Sequence, residues 1–416
     1  MRILLIHKDF LEENDPGGSR FNEMTKVWSA MGHEITVLAG MMHYNGTAKG
    51  EEYKGKYFVN KQQGAVNVWR CHVSESYNKN FIGRFWGYFT FMFSAMWAGL
   101  FRTKKNFDII LVTSPPLFVG ITAYVLSRVK RVPYIFEIRD LWLESAIDTG
   151  VLTNKMFIKL SFKVEAFILK KAVIINVLTP AFRDELIAKK NINPDKIIFI
   201  PNGADFSLSD ELLATFDSKA FRRSLGWDNR FVVTYVGAHG VANGLDQVLD
   251  AAEKLSDTNV LFLLIGNGMA KEELMLSAKK KNITNIEFLP AVSKQEVFKY
   301  ILASDIGASI LKKTDAFKTV YSNKTFDYMA CKKPILMAID GVSKKLVEEA
   351  GAGTYVEPEN AEEYDTVIRK YLDNSELIVH QGESGYAYAK SKFDRIVLAE
   401  EYLKKIVWVV SKNKKQ

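Results

Sequence analysis

Two doubly wound α/β domains are what this chain predicts, on three observations. Short apolar runs alternate with helix-period segments from end to end, the pattern of parallel sheets covered by helices on both faces. At 416 residues the chain exceeds what one core usually serves, so two domains of roughly 200 residues each follow. The alternation then restarts after an irregular stretch, Pro201 to Asp217.

In the first half the strand patterns fall at Arg2 to His7, Glu34 to Ala39, Val66 to His72, Ile109 to Thr113, Tyr134 to Ile138, Ile174 to Leu178 and Ile197 to Ile200. Helical spacing separates them at Arg20 to Met31, Leu117 to Lys130, Lys155 to Lys170 and Ala181 to Lys189. The second half repeats the scheme, with strands at Phe231 to Val236, Val260 to Ile265, Ile286 to Leu289, Ile306 to Ser309, Ile335 to Ile339 and Gly353 to Val356. Its helices are expected at Leu245 to Leu255, Lys271 to Lys281, Lys294 to Ala303 and Ala361 to Leu372, with a short one inside 319–334. A last helix, Arg395 to Val410, is long enough to return to the first domain. The expected division is 1–200 plus 395–416, and 201–394.

With 48% hydrophobic and 25% charged residues the chain belongs with folded proteins, and a formal charge of +8 selects no partner class. Only Cys71 and Cys331 are present, which gives neither a disulfide framework nor metal-ligand spacing and suits a reducing cytoplasm. Met1 to Ile6 reads as an opening strand, being too short an apolar run for a signal peptide. The uncharged aromatic run Phe85 to Phe101, flanked by Arg84, Arg102, Lys104 and Lys105, is either a core helix or one lying at a membrane interface; a bilayer span ranks third.

Two such domains facing across a cleft would bind ligands at the carboxyl ends of their strands. Gly237-Ala238-His239-Gly240 follows a strand and precedes a helix, so close approach of backbone to phosphate is sensible there. His239 would either neutralise phosphate or cap the helix. Neither this loop nor Gly266-Asn267-Gly268 completes a dinucleotide fingerprint, since Lys271 stands where the third glycine belongs. In Thr319 to Pro334 a polar loop feeds a helix whose N-terminus, through Asn323, Lys324 and Thr325, suits a diphosphate, with Asp327 placed for sugar hydroxyls; an ordinary amphipathic helix is the alternative. Arg139-Asp140, with Glu137 and Glu144 nearby, is either a structural ion pair or a cleft-facing functional pair. No Asp-x-Asp, Gly-x-Ser-x-Gly or nucleic-acid module is present, so neither metal nor nucleic acid is signalled.

Taken in order, these segments resemble the retaining nucleotide-sugar glycosyltransferases of family 4, which have the GT-B fold. The resemblance is carried by Arg2 to Ile6 with Pro16-Gly17-Gly18, by Trp28 to Val37, by Phe199-Ile-Pro-Asn-Gly-Ala-Asp205, by Tyr235 to Gly244, by Leu264 to Met269 and by Phe326 to Pro334. Departures are Ala238 and Asn243 where the family holds diphosphate-binding cations, Thr319 for the first of two acids, Asp327 for the second and Arg139 for a histidine. These resemble an L-N-acetylfucosamine transferase-like subgroup of O-antigen and capsule assembly.

The resemblance implies a cytoplasmic, membrane-peripheral enzyme of the inner membrane, moving an N-acetylated deoxy sugar from a UDP donor to a polyprenyl-diphosphate-linked acceptor without metal. It implies a donor site of Gly237, His239, Gly240, Gly266, Val292, Asn323, Lys324, Thr325 and Asp327, with His239 and Lys324 supplying the missing charge. Arg139, Asp140, His239 and Lys324 would be catalytic, and Gly17, Gly18 and Ser114 would meet the acceptor. A sugar-nucleotide epimerase and a non-catalytic scaffold are the rivals.

Overall fold

The computed structural model describes residues 1–12, 15, 20–42, 50–78, 81–148 and 152–413, and falls into two compact units. Most of the chain up to Pro201, with the return from Ile396, makes the first; Asn202–Arg395 makes the bulk of the second.

The first unit is an eight-stranded sheet of β1 (Arg2–Ile6), β2 (Glu34–Gly40), β3 (Phe58–Gln63), β4 (Val66–Cys71), β5 (Ile109–Ser114), β6 (Tyr134–Ile138), β7 (Ile174–Val177) and β8 (Ile197–Phe199), in spatial order β3-β4-β2-β1-β5-β6-β7-β8. Its ladders are parallel except β3 with β4. Every residue of β5 and β6 is buried, as strands covered on both faces must be. Strand β3 was not expected: its Asn60, Lys61, Gln62 and Gln63 carry no apolar signal, and it forms by pairing at the sheet edge through a hairpin that turns at Gly64.

The second unit is an all-parallel sheet of β9 (Phe231–Val236), β10 (Val260–Ile265), β11 (Ile286–Leu289), β12 (Ile306–Ile310), β13 (Ile335–Ala338) and β14 (Gly353–Tyr355), ordered β11-β10-β9-β12-β13-β14. The stretch read as irregular contains a helix, Phe206–Thr215, capped by Asp205, whose carboxylate accepts from Leu208 N. Each sheet reverses its winding beside its first strand, between β1 and β5 in one unit and between β9 and β12 in the other. Such reversals open a crevice at the strand ends.

The aromatic run forms a helix, Phe81–Phe101, that buries Tyr88, Phe91, Met92, Ala95 and Ala98. Trp86, Phe93, Trp97 and Phe101 point outward, so a core role explains one face only. Among the described residues no helix is long and apolar enough to cross a membrane. Both cysteines are free and buried.

The last helix, Arg395–Asn413, sets Leu398, Ala399, Tyr402, Leu403, Ile406, Val409 and Val410 into the same core as Ile3, Leu5 and Trp28. Trp28 donates its indole N–H to Ala399 O at 2.8 Å, and its ring meets Tyr402 edge-on at 5.9 Å. Trp28 is fully buried, so Trp28→Ala opens a cavity and orphans that contact. The expected loss is about 3–5 kcal/mol in the first unit's unfolding free energy, read by urea denaturation.

Candidate functional site

In the second unit the crevice is shaped by Tyr328, on the helix Asn323–Ala330. Strands β9 and β12 pair only at Ile306–Val233 and Gly307–Thr234, and then diverge. The Tyr328 hydroxyl fills the gap: it accepts from Val236 N at 3.1 Å and faces the Thr234 and Ala308 carbonyls at 3.0 and 3.2 Å. A Cβ on Gly307 would lie 2.3 Å from the Tyr328 ring, so the fit requires glycine there. One turn before Tyr328 on the same helix, Lys324 rises beside the end of β9, its ammonium 4.7 Å from the Tyr235 ring centre and 3.3 Å from Ser322 Oγ. Burial brings its pKa down to about 8, partly opposed by Asp327.

The loops after β9 and β10 lock together. Gly237 and Gly266 have φ of +148° and +154°, and a Cβ on Gly266 would sit 1.8 Å from Gly237 O, so only glycine permits this approach. Between them His239 gives its N–H to Asn267 O at 3.0 Å, and its carbonyl accepts from Ala270 N at 2.9 Å. Its imidazole is fully buried between Tyr235 and Phe288, both ring nitrogens without a hydrogen-bond partner. Burial, with Lys271 nearby, lowers its pKa to about 4. His239 is therefore neutral at physiological pH, and the cationic role expected of it is corrected: burial has removed the charge. Lys271 is committed as well, donating to Gly266 O at 2.8 Å, Leu289 O at 2.7 Å and Asn267 Oδ1 at 3.3 Å.

Of the other expected donor residues, Gly240 shares the His239 loop, where its N–H donates to Asn243 Oδ1. Asp327 is half-exposed. Thr325 lies fully buried, its hydroxyl 3.1 Å from Ser309 Oγ, which makes it a support rather than a ligand group. Asn323 is exposed and accepts from Asn202 Nδ2. Val292 follows β11, two strands away from β9, and packs on the cluster around Trp227.

In the first unit, Ser114 ends β5 and its carbonyl accepts from Arg139 N at 3.0 Å, placing Arg139 at the end of β6. Arg139 and Asp140 form no ion pair with each other among the described residues, although each lies in the other's field. Arg139 Nε is buried without a partner, and burial lowers the Arg139 pKa and raises that of Asp140, to which Ser145 Oγ donates at 3.3 Å. Glu137 and Glu144 are structural. Glu137 holds Arg20 at 3.2 and 3.3 Å and Asn176 at 2.8 Å, while Arg20 and Asn176 in turn bind the main chain at Ile200; Glu144 pairs with Lys190 at 2.8 Å. Gly17 and Gly18 lie outside the described residues. Among those described, no group of three or more His, Cys, Asp or Glu is arranged to hold a metal ion.

Comparison with known proteins gives this geometry a family. Residues 17–203 match the glycosyl transferase 4-like domain, and 217–388 match the glycosyl transferases group 1 domain. The chain is a glycosyltransferase of the group 1 type. It is 22% identical over 413 residues to the Escherichia coli K12 protein named "Putative colanic acid biosynthesis glycosyl transferase WcaI", covering 98% of this chain and 100% of that one. Among solved structures, sucrose-phosphate synthase from Thermosynechococcus elongatus superimposes with a TM-score of 0.76 at 14% identity, over 99% of each chain. Anabaena Alr3699/HepE in complex with UDP-glucose does so with 0.70 at 16%, over 98% of this chain and 99% of that one. The fold of this glycosyltransferase is thus GT-B.

Sequence reasoning missed three residues of the glycosyltransferase's crevices. Tyr328 was signalled by its place one turn after Lys324. His7, directly after β1, hydrogen-bonds Thr113 Oγ1 at 2.8 Å, and burial, then Arg139, lowers its pKa. Lys312, after β12, donates its N–H to Ala242 O at 3.0 Å, and its side chain runs past Gly244.

His239 gives the second unit an acid-sensitive stability. Its folded pKa of about 4 lies below the ordinary 6.5, so the unfolded chain binds a proton that the folded unit refuses. The His239 contribution is therefore complete above about pH 6.5 and is lost as pH falls toward about 4, by roughly 3 kcal/mol in all. Denaturation midpoints at neutral and mildly acidic pH should draw together in His239→Gln relative to wild type.

Proposed function

We propose that this glycosyltransferase moves an N-acetylated deoxy sugar, such as L-N-acetylfucosamine, from a UDP donor onto a polyprenyl-diphosphate-linked glycan in surface-polysaccharide assembly, with retention, on the inner face of the cytoplasmic membrane. The observation that carries it is Lys324, a half-buried ammonium held beside Gly237 at the β9–β12 crevice. Support for a nucleotide-sugar donor comes from the UDP-glucose complex of the like-folded Alr3699/HepE, and for the pathway class from the name of the colanic acid relative.

In this reading the donor binds the second unit. Its diphosphate lies on the backbone of Gly237, Gly240 and Gly266 and against Lys324, with Asn323 at its edge, while Asp327 accepts from sugar hydroxyls and the base extends toward Val292. The first unit recognises the acceptor through Gly17, Gly18, Ser114 and the Arg139–Asp140 pair. The acceptor oxygen bonds to the anomeric carbon on the face from which the diphosphate leaves, the carbon–oxygen bond to phosphate breaks, and the acceptor proton passes to the departing phosphate. Lys324 stabilises the charge that grows on that leaving group, and Arg139, at the acceptor end, supplies fixed positive charge. Catalysis is then positioning and electrostatic stabilisation, with no enzymic nucleophile.

Lys324 is the group to test. Calorimetry at neutral pH with UDP and a panel of UDP-N-acetyl sugars should show Lys324→Ala weakening binding at least about tenfold, or ~1.4 kcal/mol. With a pKa of about 8, the ammonium is charged below that pH and loses its proton above it. Wild-type affinity should therefore fall as pH rises through that value, whereas Lys324→Arg should hold its affinity. Unchanged affinity in Lys324→Ala would end the diphosphate assignment.

A further inference from the structure

The first unit carries an outer surface that its core does not explain. On the helix Phe81–Phe101, Trp86, Phe93, Trp97 and Phe101 each expose more than half their area. At 100° per residue these four fall within an arc of about 80°, and the Trp97 and Phe101 rings pack on each other at 4.5 Å on the outside. The helix contains no acid.

A second helix, Lys155–Lys171, continues this surface. Phe85 meets Phe157 edge-on at 5.3 Å, and Tyr124, on the intervening helix Val119–Lys130, meets Phe167 at 4.8 Å. Met156 and Leu160 are more than half exposed, among the exposed Lys155, Lys159 and Lys163. A groove of about 540 Å³ runs along it, lined by Lys155, Ile158, Lys159, Phe162, Lys163 and Ala166. None of the ion pairs among the described residues engages these three lysines. The helix's one acid, Glu165, is buried against Lys190 at 2.6 Å.

Aromatic residues beside unpaired lysines, with no acid on the outward face, suit one partner better than others. Protein interfaces are depleted in lysine, whereas at a lipid surface the lysine stems lie along apolar groups while their ammonium ends reach anionic headgroups, and tryptophan favours the same depth. We propose that this surface seats the first unit on an anionic bilayer, the aromatic stripe entering the headgroup–acyl boundary and Lys155, Lys159 and Lys163 holding phosphate headgroups. The role this gives the surface, bringing the enzyme to a lipid-linked acceptor, rests on the function proposed above; the binding itself does not.

Sedimentation of the full chain with vesicles tests it, using phosphatidylcholine alone and phosphatidylcholine mixed with phosphatidylglycerol. Wild type should pellet with the anionic vesicles and not with the neutral ones. Lys155→Glu/Lys159→Glu/Lys163→Glu and, separately, Trp86→Ser/Phe93→Ser/Trp97→Ser should each weaken that binding at least tenfold while UDP binding stays unchanged. The lysine variant alters only exposed side chains, so it remains decisive if the aromatic variant fails to fold. Wild type staying in the supernatant, or the lysine variant pelleting as well as wild type, would overturn the proposal. So would concentration-dependent dimerisation abolished by the aromatic variant, which would mark the face as a contact between copies. Vesicle binding without UDP binding would leave this surface standing and remove the donor reading instead.

Discussion

The second unit's crevice depends on one phenol. Where β9 and β12 diverge beyond Gly307, Val236 N and Ala308 O lie past the paired register inside a protein core, and an unpaired buried amide or carbonyl is costly. Tyr328 meets both with one hydroxyl, and Gly307 makes room for its ring. The result is a fixed helix: its register is set from the floor of the crevice, so Lys324, four residues earlier on the same face, has little freedom in where it stands. The cation proposed to meet the diphosphate, on a long flexible stem, is thereby pre-positioned by a hydrogen bond it does not make. That constraint links the winding reversal of the sheet to the chemistry proposed at its edge.

A second constraint works by exclusion. The interlocked Gly237 and Gly266 turns leave no room for side chains, and His239 seals the space beneath them with a ring that makes no hydrogen bond. An imidazolium there would be a buried charge without a partner, so the neutral form is enforced. Lys271, bound to two carbonyls and an amide, holds the loop rather than facing outward. Of the cations that the sequence places on these loops, Lys324 keeps its charge available and Lys312 adds a second side chain alongside Gly244.

Much of this was legible because parallel strands buried on both faces announce themselves as unbroken apolar runs. Strand β3 escaped because an edge strand needs only a partner's backbone, and Lys61, Gln62 and Gln63 tell nothing of that. The Phe206–Thr215 helix was within reach, since Asp205 is a good cap and Phe206, Ser209 and Leu212 keep helical spacing, but the flanking turn residues obscured it. At the sites, the sequence names the residue and tertiary structure decides its state. His239 as cation or buried ring and Glu137 as functional acid or lock for Arg20, 117 positions distant, are choices that burial and long-range pairing make.

The overall charge of +8 is too small to identify a partner. Its distribution says more. Lys190 is spent on Glu144 and Glu165, and Lys196 caps the carbonyls of Leu169 and Lys170 at the end of the Lys155–Lys171 helix. These cations hold the fold together. Lys155, Lys159 and Lys163 stand at the other end of that helix, exposed, beside Met156 and Leu160. An amphipathic helix usually turns its apolar face inward and its charges to water; here apolar and cationic side chains share the outward face, an arrangement that water alone does not reward. The bilayer proposed above would resolve this conflict, offering anions at one depth and hydrocarbon just below it.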